Sequence, residues 1–209
     1  MNMQRFGNIV LILTLSLTVL AASPGALVVT CLGLPATIVG TALDEDIYGG
    51  PGNDVINGLG GNDRIYGDGG NDVICGDDGD DLLDGQGGND LMNGGPGNDH
   101  FFEQAASGRD TADYRTSTAG VTVFLRNTQP SDDGLGGEDR FDNIENVYGS
   151  NFDDQLTGDM VPNVIRGRGG DDLMRGQQGN DTISGGAGND TAYGGLGYDS
   201  CTVEVPSSC

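Results

Sequence analysis

A nine-residue repeat of fixed length constrains this chain more than any other feature. Its clearest copy is Gly49-Gly50-Pro51-Gly52-Asn53-Asp54-Val55-Ile56-Asn57. Six copies fill residues 49–102 without a break, and six more fill residues 149–202. Each copy is too small to bury an apolar face alone, so such copies are stable only when they stack on one another. The repeat therefore predicts a solenoid.

The positions of the repeat divide into glycine, acidic and apolar ones. Glycine occupies position one in all twelve copies and position four in ten, with Phe152 and Val161 as the exceptions. Position six is acidic except at Asn163, and comprises Asp54, Asp63, Asp72, Asp81, Asp90, Asp99, Asp154, Asp172, Asp181, Asp190 and Asp199. Position eight is apolar: Ile56, Ile65, Ile74, Leu83, Met92, Phe101, Leu156, Ile165, Met174, Ile183, Ala192 and Cys201. Positions seven to nine therefore predict a short strand whose middle side chain points inward.

Apolar burial alone is too weak to hold such a stack. One buried Ile or Leu contributes about 2 kcal/mol, whereas each of the nine residues loses roughly 1–2 kcal/mol of backbone entropy. The groups that remain are carboxylates and the carbonyls of glycine-rich turns, which are the ligands of a hard cation. Calcium takes six to eight such oxygens in irregular geometry, whereas magnesium needs a stricter octahedron. The chain offers few ligands for zinc, because it has a single histidine, His100, at an outward-facing position seven.

The charge balance also favours cations as partners. Asp and Glu number 32 against 9 Lys and Arg, for a net charge of −23. This charge excludes nucleic acid and anionic membranes as partners, since both would be repelled. The composition would otherwise suit a disordered acidic chain, but a disordered tail has no reason to keep a nine-residue register.

The N-terminus and the cysteines indicate export. Residues 1–22 have the pattern of a signal peptide, with Arg5 followed by an apolar run over residues 9–22. Cleavage would leave a secreted chain without a membrane span; an uncleaved anchor is the alternative, although the run is short for one. Four cysteines in an exported chain suggest two disulfides, for which three pairings exist. The local pair Cys201–Cys209 is favoured, which leaves Cys31 with Cys75.

The remaining segments lie outside the regular repeats. Residues 27–48 predict an N-terminal cap that includes a degenerate repeat over residues 40–48. Residues 103–148 abandon the repeat and predict a β-rich insert, with strands at 111–114 and 121–125 and a polar loop at 127–140. Residues 203–209 predict a short C-terminal cap. The chain thus has two repeat blocks, 49–102 and 149–202, separated by the insert.

Copies such as GGPGNDVI, GLGGNDRI and GGAGNDTA resemble the RTX, or haemolysin-type, calcium-binding nonapeptide, G-G-x-G-x-D-x-U-x. The segment from Cys31 to Thr41 and the end Asp199-Ser200-Cys201 are similar to small exported members of actinobacterial type. The resemblance implies an all-β fold, a parallel β-roll with two nonapeptides per coil. It also implies that several Ca²⁺ ions lie between the turns of neighbouring coils.

The same resemblance assigns the ligands. Position-six aspartates eighteen residues apart would bridge each ion in the pairs 54/72, 63/81, 72/90, 81/99, 154/172, 172/190 and 181/199, with Asn163/Asp181 weakened by the amide. Position five would shape the turn. Backbone carbonyls would complete each site, from Gly49, Gly52, Gly58, Gly61, Gly67, Gly70, Gly76, Gly79, Gly167, Gly170, Gly176, Gly179, Gly185 and Gly188.

We therefore expect a secreted calcium-binding protein that folds when Ca²⁺ binds. One alternative is a calcium-dependent adhesin or matrix protein with a cell-surface or polysaccharide partner. Another is the non-catalytic remnant of a larger RTX exoenzyme. We expect no enzyme activity, because the sequence contains neither H-E-x-x-H nor G-x-S-x-G and no segment large enough for a catalytic domain.

Overall fold

The fold is all-β over the residues that the structure describes. The structure is a computed structural model, and it describes residues 28–103, 108–126, 131–203 and 209. The predicted signal at residues 1–22 and most of the predicted C-terminal cap lie outside these ranges. No helix in the described ranges is long and apolar enough to cross a membrane.

Short strands follow one another at intervals set by the repeat. Their bounds are β1 Thr30–Cys31, β2 Leu34–Pro35, β3 Ile38–Val39, β4 Asp46–Pro51, β5 Val55–Asn57, β6 Arg64–Gly69, β7 Val73–Cys75, β8 Leu82–Asp84, β9 Leu91–Asn93, β10 His100–Phe102, β11 Thr111–Asp113, β12 Thr122–Phe124, β13 Ser131–Asp132, β14 Glu138–Asp142, β15 Asn146–Tyr148, β16 Gln155–Thr157, β17 Val164–Gly169, β18 Leu173–Gln178, β19 Thr182–Ala187, β20 Thr191–Leu196 and β21 Ser200–Thr202.

Successive repeats alternate between two facing sheets. One sheet has ten strands in the order β20-β18-β16-β12-β13-β14-β10-β8-β6-β4, and the other has nine in the order β21-β19-β17-β15-β11-β9-β7-β5-β3. Within the blocks, neighbouring strands are parallel and eighteen residues apart, as in the pairs Ile56 with Ile74 and Ile65 with Leu83. Two nonapeptides thus make one coil, and the predicted parallel β-roll is confirmed.

The core is a single column of side chains between the two sheets. Eleven of the twelve position-eight residues are fully buried, and Cys201 packs against them at the end of the column. The prediction that position eight points inward is therefore confirmed. The insert thickens the column with Tyr114, Val123, Phe141 and Ile144, and the Phe141 ring stacks on that of Phe101 at 5.1 Å.

The insert continues both sheets. β14 pairs with β10 and β15 pairs with β11, so the insert adds parallel strands after block one. β12 pairs with β16 and thereby leads into block two. β13 links β12 to β14 by antiparallel pairs, which are the exceptions to parallel pairing among the described strands of these two sheets.

Two expectations about the insert were wrong in part. The polar loop at 127–140 contains β13 and the start of β14, because backbone groups there pair with neighbouring strands. Residues 103–148 also do not abandon the repeat entirely. Residues 134–142 read GLGGEDRFD, a full nonapeptide, and residues 108–113 keep positions four to nine as GRDTAD. Both segments pair with strands of block one and so keep the register of the stack, although extra residues separate them from block one along the chain.

Both predicted disulfides form. Cys31 and Cys75 are bonded with their Cα atoms 5.6 Å apart, and Cys201 and Cys209 with theirs 6.0 Å apart. The first bond ties the small antiparallel hairpin β1–β2 to Cys75 of the third repeat, and Asn57 Nδ2 of the first repeat donates to Thr30 O. The hairpin thus lies beside β5 and β7.

Candidate metal sites between the coils

The position-six aspartates are held by the coil that precedes them. Apart from Asp54 and Asp154, each one uses Oδ1 to accept the backbone N–H of the position-six residue one coil earlier, as Asp81 accepts from Asp63 N and Asp90 from Asp72 N at 2.8 and 2.7 Å. All eight predicted inter-coil pairs are joined in this way, including Asn163 with Asp181. The structure thus brings together the residues that the sequence paired.

Position five forms a second ladder of the opposite sense. Here the side-chain oxygen accepts the backbone N–H of position five one coil later, as Asn53 Oδ1 accepts from Asn71 N at 2.8 Å. The same bond joins Asn71 to Asn89 and Asp171 to Asn189. Because each of these oxygens accepts a hydrogen bond from the next coil, position five holds the turns of adjacent coils together.

The second carboxylate oxygen of position six has a different environment. The Oδ2 atoms are buried and accept no hydrogen bond in the described part of the chain at Asp63, Asp72, Asp81, Asp90, Asp99, Asp172 and Asp181. A buried acceptor without a partner costs free energy, so a row of them needs an explanation. The geometry around them supplies one.

Each of these oxygens faces a space that glycine keeps open. A Cβ on Gly58 would lie 2.6 Å from Asp63 Oδ2 and 2.7 Å from the carbonyl oxygen of Gly76, which is position one of the next coil. The same pattern holds at Gly67, where the neighbours are Asp72 Oδ2 and Gly85 O. A side chain at position one would therefore fill a gap lined by a carboxylate and by a carbonyl from the adjacent coil. Oxygen atoms from two coils around a gap fit Ca²⁺.

The position-four glycines have a separate role. The carbonyl of Gly52 approaches Gly70, and that of Gly61 approaches Gly79, in each case too closely for a side chain. Gly70 and Gly79 also have φ of +140° and +144°, which favours glycine. Position four thus permits the close stacking of the turns.

Burial raises the pKa of the position-six carboxyls. The pKa of Asp63 and Asp72 rises to about 6 and that of Asp81 and Asp90 to about 7, mainly through loss of solvation and in smaller part through neighbouring carboxylates. The bonds from backbone N–H groups act in the opposite direction but are weaker. The metal-free coil therefore disfavours the ionised form of these carboxyl groups.

The comparison with known families agrees with this geometry. The chain matches the family model described as RTX calcium-binding nonapeptide repeat (4 copies) over residues 39–74, 75–101 and 163–201. The chain therefore carries RTX-type calcium-binding repeats. No curated protein matches the chain. The RTX match omits residues 102–162, which hold the insert and the copies that depart from the motif.

The first two copies of block two are built differently from the other RTX repeats. Asp154 has no open oxygen, because Oδ1 accepts from Val121 N and the Ser150 hydroxyl while Oδ2 accepts from Ser150 N. The Asn163 amide is also engaged, with Nδ2 donating to Glu145 O and Oδ1 accepting from Asp159 N. Phe152 and Val161 are exposed at position four. The first two copies of block two therefore lack the open, buried position-six oxygen found at Asp63, Asp72 and Asp81.

The insert supplies position-six residues that the sequence interpretation missed. Asp110 Oδ1 accepts from Asp90 N, and Asp139 Oδ1 accepts from Asp99 N, at 2.8 and 2.9 Å. Their separations from the preceding aspartate are 20 and 40 residues rather than 18. The motif GLGGEDRFD could have revealed Asp139, whereas the partial motif around Asp110 is a weak signal. Tyr114 donates its hydroxyl to Asp139 Oδ2 at 2.6 Å, so that oxygen is satisfied.

Asp54 and Asp199 lie at the two ends of the position-six ladder, beside Gly49 and Gly194, whereas His100 lies outside the gaps. Asp54 belongs to the first regular coil and is half-buried, with Oδ1 accepting from the Thr37 hydroxyl. Asp199, in the last coil, accepts from Asp181 N. His100 is half-exposed and its Nε2 lies 2.7 Å from Asp142 Oδ2, which agrees with the outward position predicted for it.

Proposed function

We propose that the chain is a secreted protein that binds several Ca²⁺ ions between adjacent coils and folds when it does so. One observation carries the proposal: buried aspartate oxygens that find no hydrogen-bond partner in the described part of the chain recur at glycine-lined gaps between coils. Within the described ranges, Arg64, Arg115 and His100 pair with acidic residues outside position six, namely Asp46, Asp113 and Asp142. A bound cation would supply the missing counter-charge.

The coupling to folding follows from the same geometry. Without a cation, the stack must bury carboxylates beside one another, and their raised pKa values reflect that cost. A bound Ca²⁺ would convert this repulsion into ligation across the coil boundary. Because the site exists only where two coils meet, binding free energy becomes folding free energy. The proposal assigns the chain no catalytic activity.

The predicted location is compatible with this mechanism. Two disulfides indicate an oxidising compartment. Extracellular calcium modules bind at about 10⁻⁴–10⁻³ M, so sites of this strength would be empty in the cytosol and filled outside. A chain that stays unfolded until it is exported can cross a membrane.

A calcium titration with matched variants tests the proposal. Circular dichroism at pH 8 should show little β-structure in excess chelator and a gain on adding Ca²⁺, and calorimetry should report several ions per chain. Asp72→Asn removes a carboxylate shared by two predicted sites and should lower the number of bound ions. Asp68→Asn changes the same charge at an exposed position with φ of +67°, which Asn tolerates, and should leave the number unchanged.

Two results would overturn the proposal. One is β-structure that is already complete at pH 8 in excess chelator, which would mean that folding does not depend on calcium. The other is an equal loss of calcium in the two variants, which would mean that overall negative charge binds the ions rather than the position-six sites.

A further inference from the structure

The junction between block one and the insert contains three buried carboxylates that come from two adjacent coils. Asp90, Glu103 and Asp110 each place an oxygen within 4.8 Å of those of the other two. All three residues are at most 2% exposed. Glu103 and Asp110 lie in the insert, outside the matched repeats. The group therefore differs from a repeat site in both residue type and spacing.

The position of Glu103 explains how this group arises. Phe102 pairs with Asp84 in the sheet, so Glu103 lies beside Gly85, which is position one of its repeat. Glu103 thus stands where the next coil would carry a position-one glycine. Its backbone is fixed on both sides, since its N–H donates to Asp142 O and its carbonyl accepts from Asn143 Nδ2, both at 3.0 Å. A carboxylate is added at a place where regular coils offer only a carbonyl.

Asp90 supplies an independent indication that a ligand belongs there. Its Oδ1 accepts from Asp72 N, but its buried Oδ2 accepts no hydrogen bond from the described residues and points at the gap beside Gly85. Asp110 is held with its Oδ1 on Asp90 N and its own N–H on Glu145 Oε2. Oxygens of Glu103 and Asp110 lie within 4.8 Å of each other, so a shared proton or a cation would relieve the repulsion between the two carboxyl groups.

We infer that Asp90, Glu103 and Asp110 form a divalent-cation site of their own, which binds Ca²⁺ more tightly than the repeat sites do. The inference rests on the proposed function in one respect, namely that Ca²⁺ is the ion available to the chain. Three carboxylates replace the two that a repeat pair provides, and calcium affinity rises with the number of charged ligands. The site would fill first and fix the junction of block one with the insert.

Competition of the full chain against a chromophoric calcium chelator tests this inference. Wild type should show one tight ion followed by a weaker class. Glu103→Gln keeps the size of the side chain and should weaken the tight ion by about tenfold or more, with the weaker class unchanged. Glu138→Gln makes the same chemical change at an exposed insert residue and should bind like wild type. Asp110→Asn retains an Oδ1 acceptor for Asp90 N and should reproduce the loss.

The outcomes separate this inference from the proposed function. If Glu103→Gln and Asp110→Asn both bind like wild type while the weaker class persists, the group is a proton-sharing carboxyl pair and the site is refuted. If wild type binds no Ca²⁺, the proposed function fails as well. Circular dichroism in saturating Ca²⁺ identifies a variant that has not folded, and the other variant then decides.

Discussion

The metal-free protein should fold when it is acidified, because protons can replace calcium at the buried aspartates. The direction in which stability changes with pH follows from the pKa shifts. The pKa of Asp63 and Asp72 is raised to about 6, that of Asp81, Asp90 and Asp172 to about 7, and that of Asp99 to about 9, against 3.8 without burial. Between pH 3.8 and the raised pKa values, the folded chain therefore binds more protons than the unfolded chain does. The stability they provide is fully present below about pH 3.8 and is lost as the pH rises through about 6–9.

The size of the effect can be estimated at pH 5. Each of these six carboxyls holds about 0.9 proton or more in the folded coil and about 0.1 in the unfolded chain. One such group therefore changes the free energy of unfolding by about 1.1 kcal/mol per pH unit. Counting only two of the six, to allow for solvent screening at the turns, still gives about 2 kcal/mol per pH unit. That is a large part of the 5–15 kcal/mol by which domains are normally stable.

Circular dichroism in excess chelator at pH 8 and pH 5 measures this effect. We expect β-structure at pH 5 and its loss at pH 8, with the reverse trend for calcium affinity, because protons compete for the same oxygens. Asp81→Asn removes one of the charges permanently and should shift the midpoint to higher pH. Asn163 already occupies position six with its amide satisfied. A metal-free chain that gains no β-structure between pH 8 and pH 5 would refute the reasoning.

Three further predictions concern glycine, the cap and the core. Gly67→Ala should weaken calcium binding, because its Cβ would enter the gap, whereas Gly69→Ala meets nothing within 4 Å and should bind normally in calorimetry. Cys75→Ser opens a 44-residue loop and should cost about 4 kcal/mol in calcium-loaded denaturant unfolding; Cys201→Ser opens an 8-residue loop and should cost about 2.5 kcal/mol. Phe141→Ala should cost about 3–5 kcal/mol in the same assay, and a loss below 1 kcal/mol would contradict its place in the core.

The repeat by itself determined the architecture, the core and the paired aspartates. A period of nine residues with one apolar position allows one inward side chain per strand, and Ile65 and Leu83 lie where this rule places them. The eighteen-residue pairing follows from two strands per coil. These features are local and recur from repeat to repeat, so each copy of the motif gives the same prediction.

The tertiary structure alone decided how the turns are joined and where the register continues. Oδ1 of each position-six aspartate bonds to the preceding coil, and position five bonds in the opposite direction, which no spacing reveals. Glu103 and Asp110 meet Asp90 because strand pairing restores a register that extra residues conceal in the chain. Hydrogen bonding between coils sets these contacts, and it acts across space rather than along the sequence.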